Sequence, residues 1–85
     1  MEELSDTTHD DLLKEEMYLL NDDINSQDYV VTCLMMVLGY SALDALDTIQ
    51  TIENICRAKI KEAYYFTLLD YKELLEDLNL KIEIE

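Results

Sequence analysis

The 85-residue sequence predicts an α+β fold: a three-stranded sheet with three helices packed on one face, in the order β-α-α-β-α-β. Three observations predict it. Residues 57–61 and 80–85 alternate apolar and polar side chains with period two, the pattern of strands with one solvated face. Residues 26–38, 42–54 and 65–78 instead repeat apolar side chains at helical spacing. The one glycine in the chain, Gly39, falls between the first two helical segments, where a left-handed helix stop is needed.

Residues 1–15 carry Glu2, Glu3, Asp6, Asp10, Asp11 and Glu15 against Lys14 alone, with little apolar surface beyond Leu12 and Leu13. They read as a flexible acidic N-terminal arm ahead of a folded domain spanning residues 16–85. Residues 17–20 make a short apolar strand that stops at the turn formers of residues 21–26. Ser26 or Asn25 caps the first helix, Asp28 suits the positive end of its dipole, and Val30, Cys33, Leu34, Val37 and Leu38 form its apolar stripe. Ser41 caps the second helix, with Asp44 as a shorter counterpart of the capping-box acid and Leu43, Leu46, Ile49 and Ile52 as the stripe. The next strand turns Ala58 and Ile60 inward and Arg57, Lys59 and Lys61 outward. Leu68, Tyr71, Leu75 and Leu78, with Leu69 and Leu74 alongside, mark the third helix, which Asn79 ends. In the last strand Leu80, Ile82 and Ile84 point inward, leaving Glu83 and Glu85 to pair with Lys59 or Lys61 across the sheet.

Composition removes whole classes of function. Twenty acidic residues against six basic give a net charge of -14, which argues against nucleic acid or an anionic membrane surface as partner. With 49% hydrophobic residues the chain is nevertheless a globular domain and not a disordered acidic tail. No apolar run approaches the roughly 20 residues of a membrane-spanning helix. Cys33 and Cys56 show neither metal-ligand spacing nor a disulfide framework, so both are expected to be reduced core residues of a cytoplasmic protein. Nucleophilic catalysis needs a nucleophile beside a base, yet the single histidine, His9, lies in the arm and Cys33 on a core stripe. No enzyme is expected. Residues 23–28 open like a calcium loop but lack its glycine and closing glutamate, so no metal or other cofactor is expected either.

What remains is the corner Leu20-Asn21-Asp22-Asp23, between the first strand and the first helix. Asn and Asp at such a place serve either as ordinary turn residues, bonding their own backbone, or as acceptors for a small cationic group.

The run from Leu19 to Val31, Leu-Leu-Asn-Asp-Asp-Ile-Asn-Ser-Gln-Asp-Tyr-Val-Val, followed by an apolar helix, a glycine stop and a second helix containing Ala45, resembles the ClpS family of Clp protease adaptors. The resemblance runs from about Tyr18 to the C-terminus, and the second half is also similar to the C-terminal domain of the ribosomal stalk protein, which shares that fold. It implies a non-enzymatic adaptor that binds the free N-terminal residue of a substrate protein and delivers it to a Clp-family AAA+ unfoldase and protease. Asn21 and Asp22 stand at the family's positions for gripping the α-amino group. Gln27, Val30, Ile49 and Ile52 stand at the walls of the pocket for the first side chain, typically Phe, Tyr, Trp or Leu.

The chain departs from the family pattern in three places. Glu53 replaces a histidine that completes the amine grip, and serves either as a second anion for the ammonium or as an exposed helix-end residue. Gln27 replaces an apolar wall residue, and Cys56-Arg57-Ala58 stands where the family tends to place a glycine-containing turn. The alternative function is an interaction domain that keeps this fold, has lost amine recognition and docks a basic partner through its acidic surface.

Overall fold

The structure, a computed structural model, describes residues 14–85. Its elements are β1 (Lys14–Leu20), α1 (Gln27–Leu38), α2 (Ala42–Ile55), β2 (Arg57–Tyr64), α3 (Tyr65–Asp77) and β3 (Ile82–Ile84), the order expected from the sequence. The first strand is central: β2 and β3 both pair with it antiparallel, giving the sheet order β2-β1-β3. The chain therefore leaves β1 at the middle of the sheet. There Leu20 N–H donates to the Lys81 carbonyl and Asn21 N–H to the Cys56 carbonyl, each at 2.9 Å, so the corner is held between both flanking strands.

Two boundaries differ from expectation. Lys14 and Glu15, assigned by charge to the arm, pair with Tyr64 and Ala63, and this same pairing carries β2 on to Tyr64, past the alternation that ends at Lys61. Residues 1–13, which include His9 and most of the expected arm, lie outside the described residues.

The caps follow the residue chemistry. Ser26 Oγ accepts from Tyr29 N–H at 3.2 Å and Ser41 Oγ from Asp44 N–H at 3.1 Å, each satisfying an orphan donor at a helix start. Gly39 ends α1 in the left-handed region at φ 74°. Cys56 ends α2 at φ 73°, and Asn79 follows α3 at φ 70°. Asparagine tolerates that region, whereas a cysteine there costs on the order of 1 kcal/mol.

Met17 and Leu19 from β1, Ala58 and Ile60 from β2, and Leu80 and Ile82 near β3 meet Val30, Cys33, Leu34, Ala45, Ile49, Ile52, Leu68 and Leu75 from the helices in one core. Three leucines expected there lie outside it: Leu43, Leu46 and Leu74 are 75%, 47% and 53% exposed. The buried face of α2 is Ala45, Ile49 and Ile52, and at 3.6 residues per turn Leu43 falls nearly opposite that face and Leu46 to its side. Leu74 is likewise displaced from the Leu68–Leu75 line by one residue. Cys56 is exposed, because the αL stop turns it away from the core, while Cys33 is buried as expected; both thiols are free.

On the open face of the sheet, Glu83 and Glu85 pair with Arg57 and not with Lys59 or Lys61. Since β3 lies beyond β1 from β2, the pairing side chain crosses Tyr18 to reach it. The Arg57 guanidinium lies 3.8 Å from the Tyr18 ring centroid and donates to both Glu85 carboxylate oxygens at 2.6 and 2.8 Å. Lys59 pairs with Glu16 at 3.5 Å and with Glu62 at 3.8 Å.

Candidate functional site

The corner between β1 and α1 is built by Asp22. Its Oδ1 accepts the backbone N–H of Ile24 at 2.7 Å and of Asn25 at 2.9 Å, and its Oδ2 accepts Asn25 Nδ2 at 3.0 Å. Burial raises the Asp22 pKa, but the hydrogen bonds from Asn25 and Ile24 and the charge of Lys81 outweigh it, so the carboxyl sits below its ordinary value. It is ionised at neutral pH. Asn25 spends its second amide proton on the Asn79 carbonyl at 2.8 Å, and the Tyr29 hydroxyl donates to the Leu78 carbonyl at 2.7 Å. The C-terminal end of α3 thus fixes the start of α1, and with it the position of Asp22.

Beside this corner opens a cavity of about 120 Å³. Leu19 and Leu20 of β1 line it together with Asn21, Asp22 and Asn25 of the corner, Gln27 and Val30 of α1, and Ile49, Ile52 and Glu53 of α2. All seven residues singled out in the sequence therefore border one space. Val30, Ile49 and Ile52 give it a buried aliphatic wall. Asn21 is exposed and its side-chain amide makes no hydrogen bond to the described residues, so its oxygen is available as an acceptor. Asp22 uses three of roughly four carboxylate lone-pair sites on the turn, keeping its charge and one site for another donor. Asp23 is exposed and does not border the cavity.

Glu53 and Gln27 are joined: Glu53 Oε2 accepts from Gln27 Nε2 across the gap between α1 and α2. Neither residue's role as a lone amine acceptor or a lone wall anticipates this bond, although donor-acceptor complementarity at one site was readable. Leu19, Leu20 and Asn25 are the lining residues that sequence reasoning passed over. Asn25 stands out only as a cap candidate, and the signal for its role is its place three residues after Asp22.

A model of a protein family described as ATP-dependent Clp protease adaptor protein ClpS matches residues 14–82. The chain belongs to the ClpS family. Among solved structures, Agrobacterium tumefaciens ClpS2 bound to L-phenylalaninamide is similar to it with a TM-score of 0.66 and 18% identity, over 85% of this chain and 96% of that one. No curated protein matches the chain. Within this ClpS-family domain no group of three or more His, Cys, Asp or Glu side chains comes together among the described residues in a form that could hold a metal ion. No helix among the described residues is long and apolar enough to cross a membrane.

Proposed function

We propose that this ClpS-family chain captures substrate proteins by a free, destabilising N-terminal residue and hands them to a Clp-family AAA+ unfoldase for degradation. It acts as a binding protein in the cytoplasm, and two free thiols, one of them exposed, fit a reducing compartment. The observation that supports the reading is a cavity in which the acceptors of Asn21, Asp22 and Glu53 adjoin an aliphatic wall.

An α-ammonium sheds water on entering such a space and must find acceptors there. Asn21 Oδ1, the remaining site of the Asp22 carboxylate and the free oxygen of Glu53 supply them, the two carboxylates through charge-assisted bonds. The first side chain then packs against Val30, Ile49 and Ile52, beside the stem of Gln27, and its burial contributes about 1.5 to 3 kcal/mol. L-phenylalaninamide, the ligand named for the Agrobacterium protein, carries a free α-amine, an aromatic side chain and an amide in place of the carboxylate, so its atoms stand in for an N-terminal phenylalanine.

Isothermal titration with short peptides beginning Phe, Leu, Tyr or Trp tests this directly. Binding that disappears when the α-amine is acetylated is the expected result; binding indifferent to acetylation overturns it. One observation favours a second reading, in which the fold survives without amine recognition and the acidic surface docks a basic partner: Asp22 and Glu53 already accept bonds from within the chain. Under that reading charge reversal along the acidic N-terminal segment abolishes partner binding and Asp22→Ala leaves it intact.

A further inference from the structure

We propose that the Gln27–Glu53 hydrogen bond is a partition that limits the first-residue cavity to side chains of leucine or phenylalanine size and disfavours tryptophan. The inference rests on reading the cavity as the seat of a substrate's first residue. A second hollow, of about 290 Å³, lies next to that cavity and is lined by Gln27, Leu46, Asp47, Ile49, Gln50 and Glu53. Three residues, Gln27, Ile49 and Glu53, border both spaces. Ile49 is buried and fixed by the core, whereas Gln27 and Glu53 are exposed side chains joined only by their bond across the gap between α1 and α2. The bond is therefore the movable part of the shared wall.

Size gives the partition its consequence. An apolar cavity of roughly 150 Å³ holds a benzene molecule. The present 120 Å³ accommodates an isobutyl group or a single ring that projects in part toward solvent, and a fused two-ring indole overfills it. Indole is enclosed as fully as a single ring only if Gln27 leaves Glu53 and the two hollows merge, and breaking a hydrogen bond to a carboxylate opposes that opening. The expected discrimination is about tenfold, at the low end of what pocket size alone achieves.

The test is titration calorimetry of the wild-type chain, Gln27→Ala and Glu53→Gln with peptides beginning Leu, Phe or Trp, each with a free and an acetylated amine. The wild type should bind the Leu and Phe peptides about tenfold more tightly than the Trp peptide. Gln27→Ala should bring the three within about threefold of one another. Glu53→Gln retains an oxygen that accepts from Gln27, so it should weaken all three peptides alike and keep the tenfold ratio. Loss of folded protein lowers all affinities together and cannot move that ratio. A Trp peptide that binds the wild type as tightly as Leu, or a ratio unchanged in Gln27→Ala, overturns the partition while amine-dependent binding stands. Absence of any amine-dependent binding instead overturns the cavity's assignment, and the partition with it.

Discussion

Asp22 builds the turn and, under the proposed function, also accepts an amine, and a pair of substitutions separates the two roles. As a turn residue it accepts three hydrogen bonds from Ile24 and Asn25, each at least partly open to water. At the low end of about 0.5 to 1.5 kcal/mol per bond, Asp22→Ala costs the fold roughly 1.5 kcal/mol, which a domain with a stability of at least about 5 kcal/mol survives. As an amine acceptor it contributes a charge-assisted bond, so the same substitution weakens a free-amine peptide by about 1.5 to 3 kcal/mol, or roughly 10- to 150-fold. Asp22→Asn keeps an oxygen for the two backbone donors but sets an amide against Asn25 Nδ2, losing one bond of three and the whole charge. It should therefore melt closer to the wild type than Asp22→Ala while losing nearly as much affinity. Circular dichroism melts and calorimetric titration, run well below the melting temperature, read the two quantities separately. If Asp22→Asn binds free-amine peptides as the wild type does, Asp22 only shapes the turn and the amine grip must be sought elsewhere. A loss that shrinks steeply with added salt assigns the effect to long-range attraction and not to a direct bond.

Cys56→Gly relieves the left-handed strain at the end of α2, at φ 73°, and replaces an exposed side chain, so it should stabilise the domain. Allowing for glycine's greater unfolded-state freedom, the gain is about 0.5 kcal/mol, or roughly 2 to 4 °C in Tm; a lower Tm shows that the thiol packs usefully. Acid should destabilise the fold through three carboxyls. Glu16 is lowered from 4.5 by the Tyr18 hydroxyl and Lys59, Glu85 is lowered from 4.5 by Arg57, and Asp22 is lowered from 3.8 because its hydrogen bonds outweigh its burial. Each binds protons more readily when unfolded, so its contribution is complete above its ordinary value and is lost as pH falls through the depressed one. Thermal melts should show Tm falling as pH drops below about 4.5, and less steeply in Asp22→Asn; a Tm that stays flat or rises there contradicts the assignment.

Much of the fold was legible because local signals agreed. Ser26, Ser41, Gly39 and Asn79 each punctuate the chain where the structure turns, and the alternation at Ala58, Ile60 and Ile82 reads directly as an inward face. The signals failed where a non-local partner decided the outcome. Lys14 and Glu15 look like tail residues until Tyr64 and Ala63 pair with them, and no local pattern in β2 or β3 reveals that β1 lies between them. Leu43 and Leu46 fit a helical stripe by spacing, but the face of α2 that is buried carries Ala45, too small to signal itself, with Ile49 and Ile52. At the site, the motif named the residues around the cavity but not their mutual bonds, since the meeting of Gln27 with Glu53 depends on how α1 and α2 sit side by side.

Charge and shape divide the labour at this cavity. A net charge of -14 attracts cations to the whole surface, and the Debye length of about 8 Å at physiological ionic strength confines that attraction to the near neighbourhood without distinguishing one amine from another. Lysine side chains respond to it as N-termini do. What a lysine ammonium lacks is a side chain branching from the carbon that bears the nitrogen. The site brings acceptors at Asn21 and Asp22 together with the aliphatic wall of Val30, Ile49 and Ile52, so the full contact set is available only to an amine with its own side chain one bond away. The ties from Asn25 to Asn79, Tyr29 to Leu78 and Asn21 to Cys56 hold that spacing before any ligand arrives, and little ordering cost is left to be met on binding. On the proposed function, selection of a chain end over an internal lysine follows from the Asp22 carboxylate bordering the same hollow as the aliphatic wall, and the acidic surface sets only how fast candidates arrive.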